Sequence, residues 1–399
     1  MKDVAIYTLT SELHDAEAVG AATRIFLGSL HLDYDFRDAD YADYGSHVLS
    51  LIYVRTGGTE GVFRRLLPEL RQKSERPTLL LTSGKSNSLA ASMEILSFLR
   101  QQGLKGEIIH GSAEYVAHRV DLLAKVEKAR RELRGTRLGI VGKPSDWLIS
   151  STFDRDAVSR LLGIELVDVP MADVHACLDE TTPGNLLLPD ASDAIRQAYP
   201  GAVHIYRALR LLVEKHRLNG FTIRCFDLLS SLHNTGCWAL ARLNADGIVA
   251  GCEGDVPALL SMKIAQAVTG VSGFQANPAT IDPEAGEMLF AHCTIPINMV
   301  ERYELDTHFE SGIGIGIRGF AKPGPVTIFK LSGDLSRHFI AQGELVRCED
   351  KPGLCRTQQV IRLDDKRQAD YFLTDPIGNH HIVLPGHRLE LLEQLLCMQ

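Results

Sequence analysis

From Val4 to about Gly270 the chain alternates short apolar runs with stretches of helical period, and beyond Gly270 the helical stretches almost vanish. The runs VAIYTL, VLSLIYV, PTLLLTS, GEIIHG, RLGIVG and IELVDV have strand length, and stretches such as EGVFRRLLPELRQK and NSLAASMEILSFLRQQG separate them. Strands joined by helical crossovers pair in parallel, so the pattern predicts doubly wound, Rossmann-like α/β domains. The charged helix DLLAKVEKARRELRG closes an N-terminal α/β domain over residues 1–134, an ordinary domain size. A second α/β domain is expected over 135–270. After it, MLFAHCTI, IGIGIRGF, PVTIFKLSG and GELVRCE follow one another with turn residues between and one late helix. That predicts a mainly antiparallel β domain over 271–399.

Composition limits what such a chain can do. With 399 residues, 45% hydrophobic and 23% charged, there is material for two or three packed cores. The 42 basic residues against 50 acidic ones leave a net charge of −8, with no electrostatic footprint for nucleic acid. No apolar run reaches membrane-span length, and MKDVAIYTLTSELHDAEA carries acids where a signal peptide is uninterrupted and apolar. The expectation is a cytoplasmic protein whose partner is a small molecule, with neither nucleic acid nor membrane. The eight cysteines include no CxxC pair, so they are read as reduced and mostly buried. Cys252 is a candidate nucleophile only by position, and a buried small hydrophobe is the better reading.

Two phosphate-loop patterns fail on context. Ser83–Ser86, SGKS, lies between a strand and a helix, but Leu79 stands where a phosphate loop requires glycine. Helix capping is the expected role there. Gly314 to Gly319 spells GxGxxG, yet Lys322-Pro323-Gly324-Pro325 follows where a helix should begin. It reads as a strand that buries its isoleucines on one face and permits close approach on the other.

Chemistry gathers elsewhere. Ile248-Val249-Ala250 ends an apolar strand, Gly251 and Gly254 make a turn, and Pro257 opens a helix, so Glu253 and Asp255 sit where a strand gives way to a helix. Ligands of open α/β sheets collect at such strand ends. Near the C-terminus, Asn379-His380-His381 and His387 place three histidines just before an amphipathic helix. Between these clusters lies GFQANPATID, which starts at Gly273.

EGD, FQAN and NHH in this order resemble the L-fucose isomerase and L-arabinose isomerase superfamily, particularly its short fucose-isomerase-like members, over roughly Cys225 to His387. The resemblance implies a metal-dependent aldose–ketose isomerase acting on a small sugar such as a deoxyhexose or pentose, with Mn²⁺ as the expected cation, and a homo-oligomer. It implies that Glu253 is ligand and acid/base group, that His380 is a metal ligand, and that the second acidic ligand falls at Asn277. An amide oxygen can coordinate a cation, but an amide cannot accept and return a proton. Glu253 then serves both carbons, or Asp282, Glu287 or Glu310 replaces the missing acid, or the chain is a weakened sugar-binding or regulatory relative. Gln275 is as near the expected position as Asn277.

Isomerisation needs groups of this kind, since a weakly acidic proton moves between C2 and C1 and a cation across O1 and O2 stabilises the enediolate. Plainer roles compete for each residue. Glu253 and Asp255 could simply favour a helix N-terminus by ~0.3–1 kcal/mol; with the resemblance, Glu253 is assigned function and Asp255 capping. On a strand, His380 and His381 face opposite sides, so only one reaches a metal. His308 and Glu310 in THFES are two apart and are candidates for sugar hydroxyls or for a surface pair. His292 reads as a satisfied core histidine, with a polar role near the metal as the lesser reading. Trp147 reads as ordinary packing, with stacking on a sugar as the lesser role.

Overall fold

The computed structural model describes residues 2–184 and 191–397. The chain divides into two compact units, Met1–Lys128 and Ala129–Gln399. In the first, β1 (Val4–Leu9), β2 (Tyr34–Asp38), β3 (Leu49–Val54), β4 (Thr78–Thr82) and β5 (Gly106–Ile109) form a parallel sheet in the order β2-β1-β3-β4-β5. Helices α1 (Ala16–Ser29), α2 (Glu60–Lys73), α3 (Ser88–Gln101) and α4 (Ala113–Leu133) connect or follow these strands. Every residue of β1 and β4 is buried, as parallel strands covered on both faces require. Tyr7, Ile52, Phe63, Leu80 and Leu99 belong to this core. Before α3 the Thr82 hydroxyl donates to Ser88 Oγ at 2.7 Å and accepts from Gly84 N, but the residue that precedes the helix is Asn87, with no side-chain cap bond, so SGKS does not cap it as expected.

The second unit begins with another parallel sheet, β6 (Arg137–Val141), β7 (Glu165–Val169), β8 (Gly220–Ile223) and β9 (Val249–Gly251), in the order β7-β6-β8-β9. Its helices are α5 (Arg155–Leu162), α6 (Met171–Asp179), α7 (Asp193–His216), α8 (Asp227–Leu232), α9 (Cys237–Ala245) and α10 (Val256–Thr269). Then come β10 (Phe274–Asp282), β11 (Glu287–His292), β12 (Arg302–Asp306), β13 (Gly316–Phe320), β14 (Gly324–Leu331), β15 (His338–Cys348), β16 (Thr357–Leu363) and β17 (His381–Pro385). Six of these close into an antiparallel barrel in the order β10-β11-β16-β15-β14-β17, while β12 and β13 form a separate ribbon. Closure removes the edges an open sheet would expose. The expected 270/271 division falls at the Gly270 cap of α10.

The C-terminal region therefore has the antiparallel character the pattern predicted. It also carries a short helix not anticipated, α11 (Ala369–Thr374), besides the late helix α12 (Leu389–Cys397). Six residues give too few turns for a visible period. From Gly316 on the GxGxxG segment is strand β13, while Gly314 and Ile315 precede it; Ile315 and Ile317 are both fully buried. A Cβ on Gly319 would lie 2.7 Å from Ile295 Cγ2, so the close approach is to a packed side chain. Helix α10 packs on β8 and β9 and also on β14 and β17, which brings the end of the parallel sheet next to the barrel.

Candidate active site

The EGD turn is shaped by its backbone. Glu253 has φ +65° and Gly254 φ +72°, both left-handed. A Cβ at position 254 would stand 2.6 Å from the Lys143 carbonyl oxygen, so only glycine fits there. Glu253 tolerates a conformation that costs a side-chain residue of order 1–3 kcal/mol, the kind of strain concentrated at functional sites. Its carbonyl accepts from Ser145 N at 2.9 Å. Asp255 caps α10, with Oδ1 accepting from Ala258 N at 2.8 Å, as its place before the helix predicted.

The turn presents Glu253, 9% exposed, to His292 at the end of β11 and to His380 just before β17. His380 Nε2 stands 3.5 Å from Glu253 Oε1 and His292 Nε2 stands 3.7 Å from the same oxygen. Both distances are too long for good hydrogen bonds. The other carboxylate oxygen, Oε2, accepts from Trp147 Nε1 at 2.6 Å. His380 is oriented from behind: its Nδ1 lies 2.9 Å from Asp255 Oδ2, and Lys330 Nζ approaches that oxygen to 3.7 Å. His292 Nδ1 is 3.0 Å from Thr294 Oγ1. Each imidazole thus has one nitrogen engaged and turns the other toward Glu253, the arrangement by which an outer partner fixes a ligand's ring.

The charges follow from this geometry. Burial pushes the Glu253 carboxyl up, but His292 and His380 outweigh it and hold the group well below the usual carboxylate range. Burial likewise opposes ionisation of Asp255, and Lys330 and His380 bring it down to about 2. Burial disfavours the His380 cation, yet the two carboxylates raise it to about 9.

Of the residues singled out from the sequence, Glu253 and His380 come together. Asn277 lies two positions along β10 from Gln275, on the same strand face. Gln275 Oε1 accepts from Cys252 N at 2.9 Å, so Gln275 is committed to bracing the turn. Asn277 Oδ1 is buried with no hydrogen-bond partner among the described residues. His308 is buried, its Nδ1 3.0 Å from Ser311 Oγ, and it meets Phe226 edge-on, which in turn meets Trp147 edge-on. Burial lowers its pKa. Glu310 is exposed in the turn after His308, and since neither is on a strand the two do not share a face as the spacing had suggested. Asp282 and Glu287 pair at the far end of the β10–β11 hairpin. Glu287 is bound there by Arg362 at 2.7 Å. Neither replaces an acid beside Glu253.

His381, the first residue of β17, has partners different from those of His380. It is enclosed by Tyr371 and Phe372, with Nε2 3.0 Å from Tyr371 Oη, and burial drives its pKa down to about 3. Sequence reasoning ranked a polar role for His292 below a core one, because its setting in LFAHCTIP is apolar; the β10–β11 pairing, which puts Ala291 opposite Asn277, is the non-local signal that bears on its place. Trp147 was expected to pack, and it is half exposed and holds Glu253. Cys252 Sγ is buried 3.0 Å from Cys225 Sγ, a contact that, with burial, raises its thiol pKa.

Cys252, Glu253 and His292 offer ligand atoms within 4.8 Å of one another. His380 Nε2 and Asn277 Oδ1 are buried without hydrogen-bond partners. The Glu253 carboxylate and the two imidazoles beside it make a donor set that suits a borderline divalent ion. The residues present therefore fit such a cation.

No protein-family model matches the sequence. The chain is similar to sulfoquinovose isomerases. That of Alkalicoccus urumqiensis is 21% identical over 264 residues, covering 61% of this chain and 59% of the relative. That of Clostridium sp. (strain MSTE9) is 21% identical over 284 residues, covering 65% and 62%. That of Priestia megaterium is 22% identical over 264 residues, covering 62% and 59%. The chain spans about three fifths of the length of these curated relatives.

Proposed function

We propose that this chain is an aldose–ketose isomerase acting on a small sugar, with Glu253 as its proton-transfer group. The observation that carries the reading is the convergence on Glu253 of two imidazoles, each oriented from behind. Its similarity to sulfoquinovose isomerases supports the reaction class. The sugar itself is a proposal at the level of class: a small aldose, either the deoxyhexose or pentose of the sequence resemblance or a sugar like that of the named relatives.

Glu253, His380, His292 and Asn277 would hold a divalent cation, for which Mn²⁺ is our proposal. When bound, such an ion supplies polarisation of the sugar carbonyl and stabilisation of an enediolate. The chain's own groups do the rest. Glu253 is ionised and ready to take the C2 proton, and its protonated form returns that proton to C1 while hydrogen shifts between O1 and O2. Trp147 fixes Oε2, which sets the plane of the carboxylate. The edge formed by Trp147, Phe226 and His308 gives an apolar wall for a sugar face.

Turnover of a panel of aldoses, including fucose, arabinose and sulfoquinovose, with Mn²⁺, Mg²⁺ or chelator present, tests the reading. We expect ketose from at least one sugar and its loss with chelator. Binding of a sugar without turnover under all conditions would overturn it.

A further inference from the structure

Lys330 is a cation that packing does not explain. Val326 and Ile328, four and two positions before it on β14, share its strand face and belong to the apolar core. Lys330 continues that face with an ammonium, 1% exposed, whose Nζ has no hydrogen-bond partner. The ion pair it makes is with Asp255 Oδ2, at 3.7 Å. Replacing a buried pair by apolar residues is often neutral or stabilising, so the core alone does not require a lysine here.

The charge of Asp255 is not required by its own helix either. Oδ1 caps α10 by accepting from Ala258 N at 2.8 Å, which serine or asparagine would do as well. Oδ2 has a different task. It accepts from His380 Nδ1 at 2.9 Å, and both residues are 0% exposed. A carboxylate only accepts, so Nδ1 carries the hydrogen, and Nε2, buried and unpartnered, is the nitrogen left to face Glu253 Oε1 at 3.5 Å. An ionised acceptor makes the bond at Nδ1 roughly twice as strong as a neutral one would.

The backbone holds the same groups together. Leu331 N, the next along β14, donates to Ser261 Oγ of α10 at 3.0 Å, which ties the strand that carries Lys330 to the helix that Asp255 caps. His380 stands one residue before β17, and β17 pairs with β14. Lys330, Asp255 and His380 thus form a row that ends at Glu253.

We propose that Lys330 is a positioning residue for the cation site: its ammonium holds the Asp255 carboxylate against His380 Nδ1 and so keeps His380 Nε2 aimed at the space beside Glu253 and His292. Lys330 itself touches neither cation nor sugar. The proposal rests on the reading of Glu253, His292 and His380 as cation ligands, and not on which sugar is turned over.

Calorimetric titration with Mn²⁺ of the metal-free full chain, of Lys330→Met, Asp255→Asn and the double variant, and of His380→Ala tests it. Loss of an outer partner weakens metal affinity by ~10–100-fold, so Lys330→Met should bind Mn²⁺ at least about tenfold more weakly than wild type. Because Lys330 acts through Asp255, adding Lys330→Met to Asp255→Asn should change the affinity by no more than about twofold further. The double variant therefore stays as weak as Asp255→Asn although its buried charges are balanced again. A lysine that served only charge balance would give the opposite result, with Mn²⁺ affinity returning toward wild type in the double variant. Should Lys330→Met not fold, Lys330→Gln, polar but uncharged, takes its place with the same expectation, and the comparison of the double variant with Asp255→Asn stands by itself. Unchanged Mn²⁺ affinity in the folded Lys330 variant, or affinity restored or further lost in the double variant, overturns the proposal; if His380→Ala still abolishes binding, the cation site survives that result. A wild-type chain that binds no Mn²⁺ overturns the cation reading, and the proposal with it.

Discussion

Asp255→Asn isolates the buried charge behind the site. Asparagine caps a helix about as well as aspartate, so the bond to Ala258 N at 2.8 Å survives. What disappears is the negative charge 2.9 Å from His380 Nδ1 and 3.7 Å from Lys330 Nζ, in a place where Asp255 is 0% and Lys330 1% exposed. Removing one member of a buried charged pair costs ~3–5 kcal/mol, since the other is left uncompensated. For a domain of this size that lowers the unfolding midpoint by roughly 6–20 °C. Lys330→Met in the same background removes the stranded ammonium, and the double variant should recover about 1–3 kcal/mol relative to the sum of the two single changes. Urea unfolding followed by circular dichroism on the four proteins closes the cycle. Strict additivity would refute the claim that Lys330 and Asp255 compensate each other.

Other outcomes follow from named contacts. Trp147→Phe removes a donor to the Glu253 carboxylate; a hydrogen bond to a charged group is worth ~1.5–3 kcal/mol, so kcat/KM should fall by about 10–100-fold, and an unchanged value would deny Trp147 its positioning role. His380→Ala should weaken Mn²⁺ binding in calorimetry far more than His381→Ala, while His381→Ala lowers stability through its packing on Tyr371 and Phe372; equal metal affinity in both variants would contradict the assignment. Burial raises Tyr44 to about 12, above its unfolded value, so its stabilisation is intact below about pH 10 and lost as pH rises toward 12; urea midpoints between pH 9 and 12 should fall less steeply in Tyr44→Phe, by up to ~1.4 kcal/mol per pH unit. The proposed homo-oligomer predicts a multiple of the chain mass in light scattering, and a monomer at micromolar concentration would remove it.

The parallel sheets and the EGD turn were legible because each is written locally: strand-length apolar runs, glycines where φ is positive, and an aspartate before a helix. The β-rich C-terminal region was legible too, but its closure into a barrel depends on pairings such as β10 with β17, which no local period encodes. The same non-locality kept a polar role for His292 in second place and hid the hold of Trp147 on Glu253, 106 residues apart in sequence. The spacing of His308 and Glu310 misled for a different reason. Strand alternation was applied to THFES, where the chain makes a turn closed by Gly312 N on the His308 carbonyl. The Asp255–His380–Lys330 group joins a helix cap, a loop and a barrel strand, so its charges could be appreciated only once the elements were packed.

Glu253→Gln keeps the size of the side chain and an oxygen for a cation, but removes the carboxylate that takes and returns the C2 proton. General acid–base catalysis contributes ~10²–10⁴-fold, so in deuterated water both ketose formation and incorporation of deuterium from solvent into the sugar should fall by at least that range while the fold is retained. Undiminished turnover and exchange in the folded variant would contradict the assignment of Glu253 as the proton-transfer group.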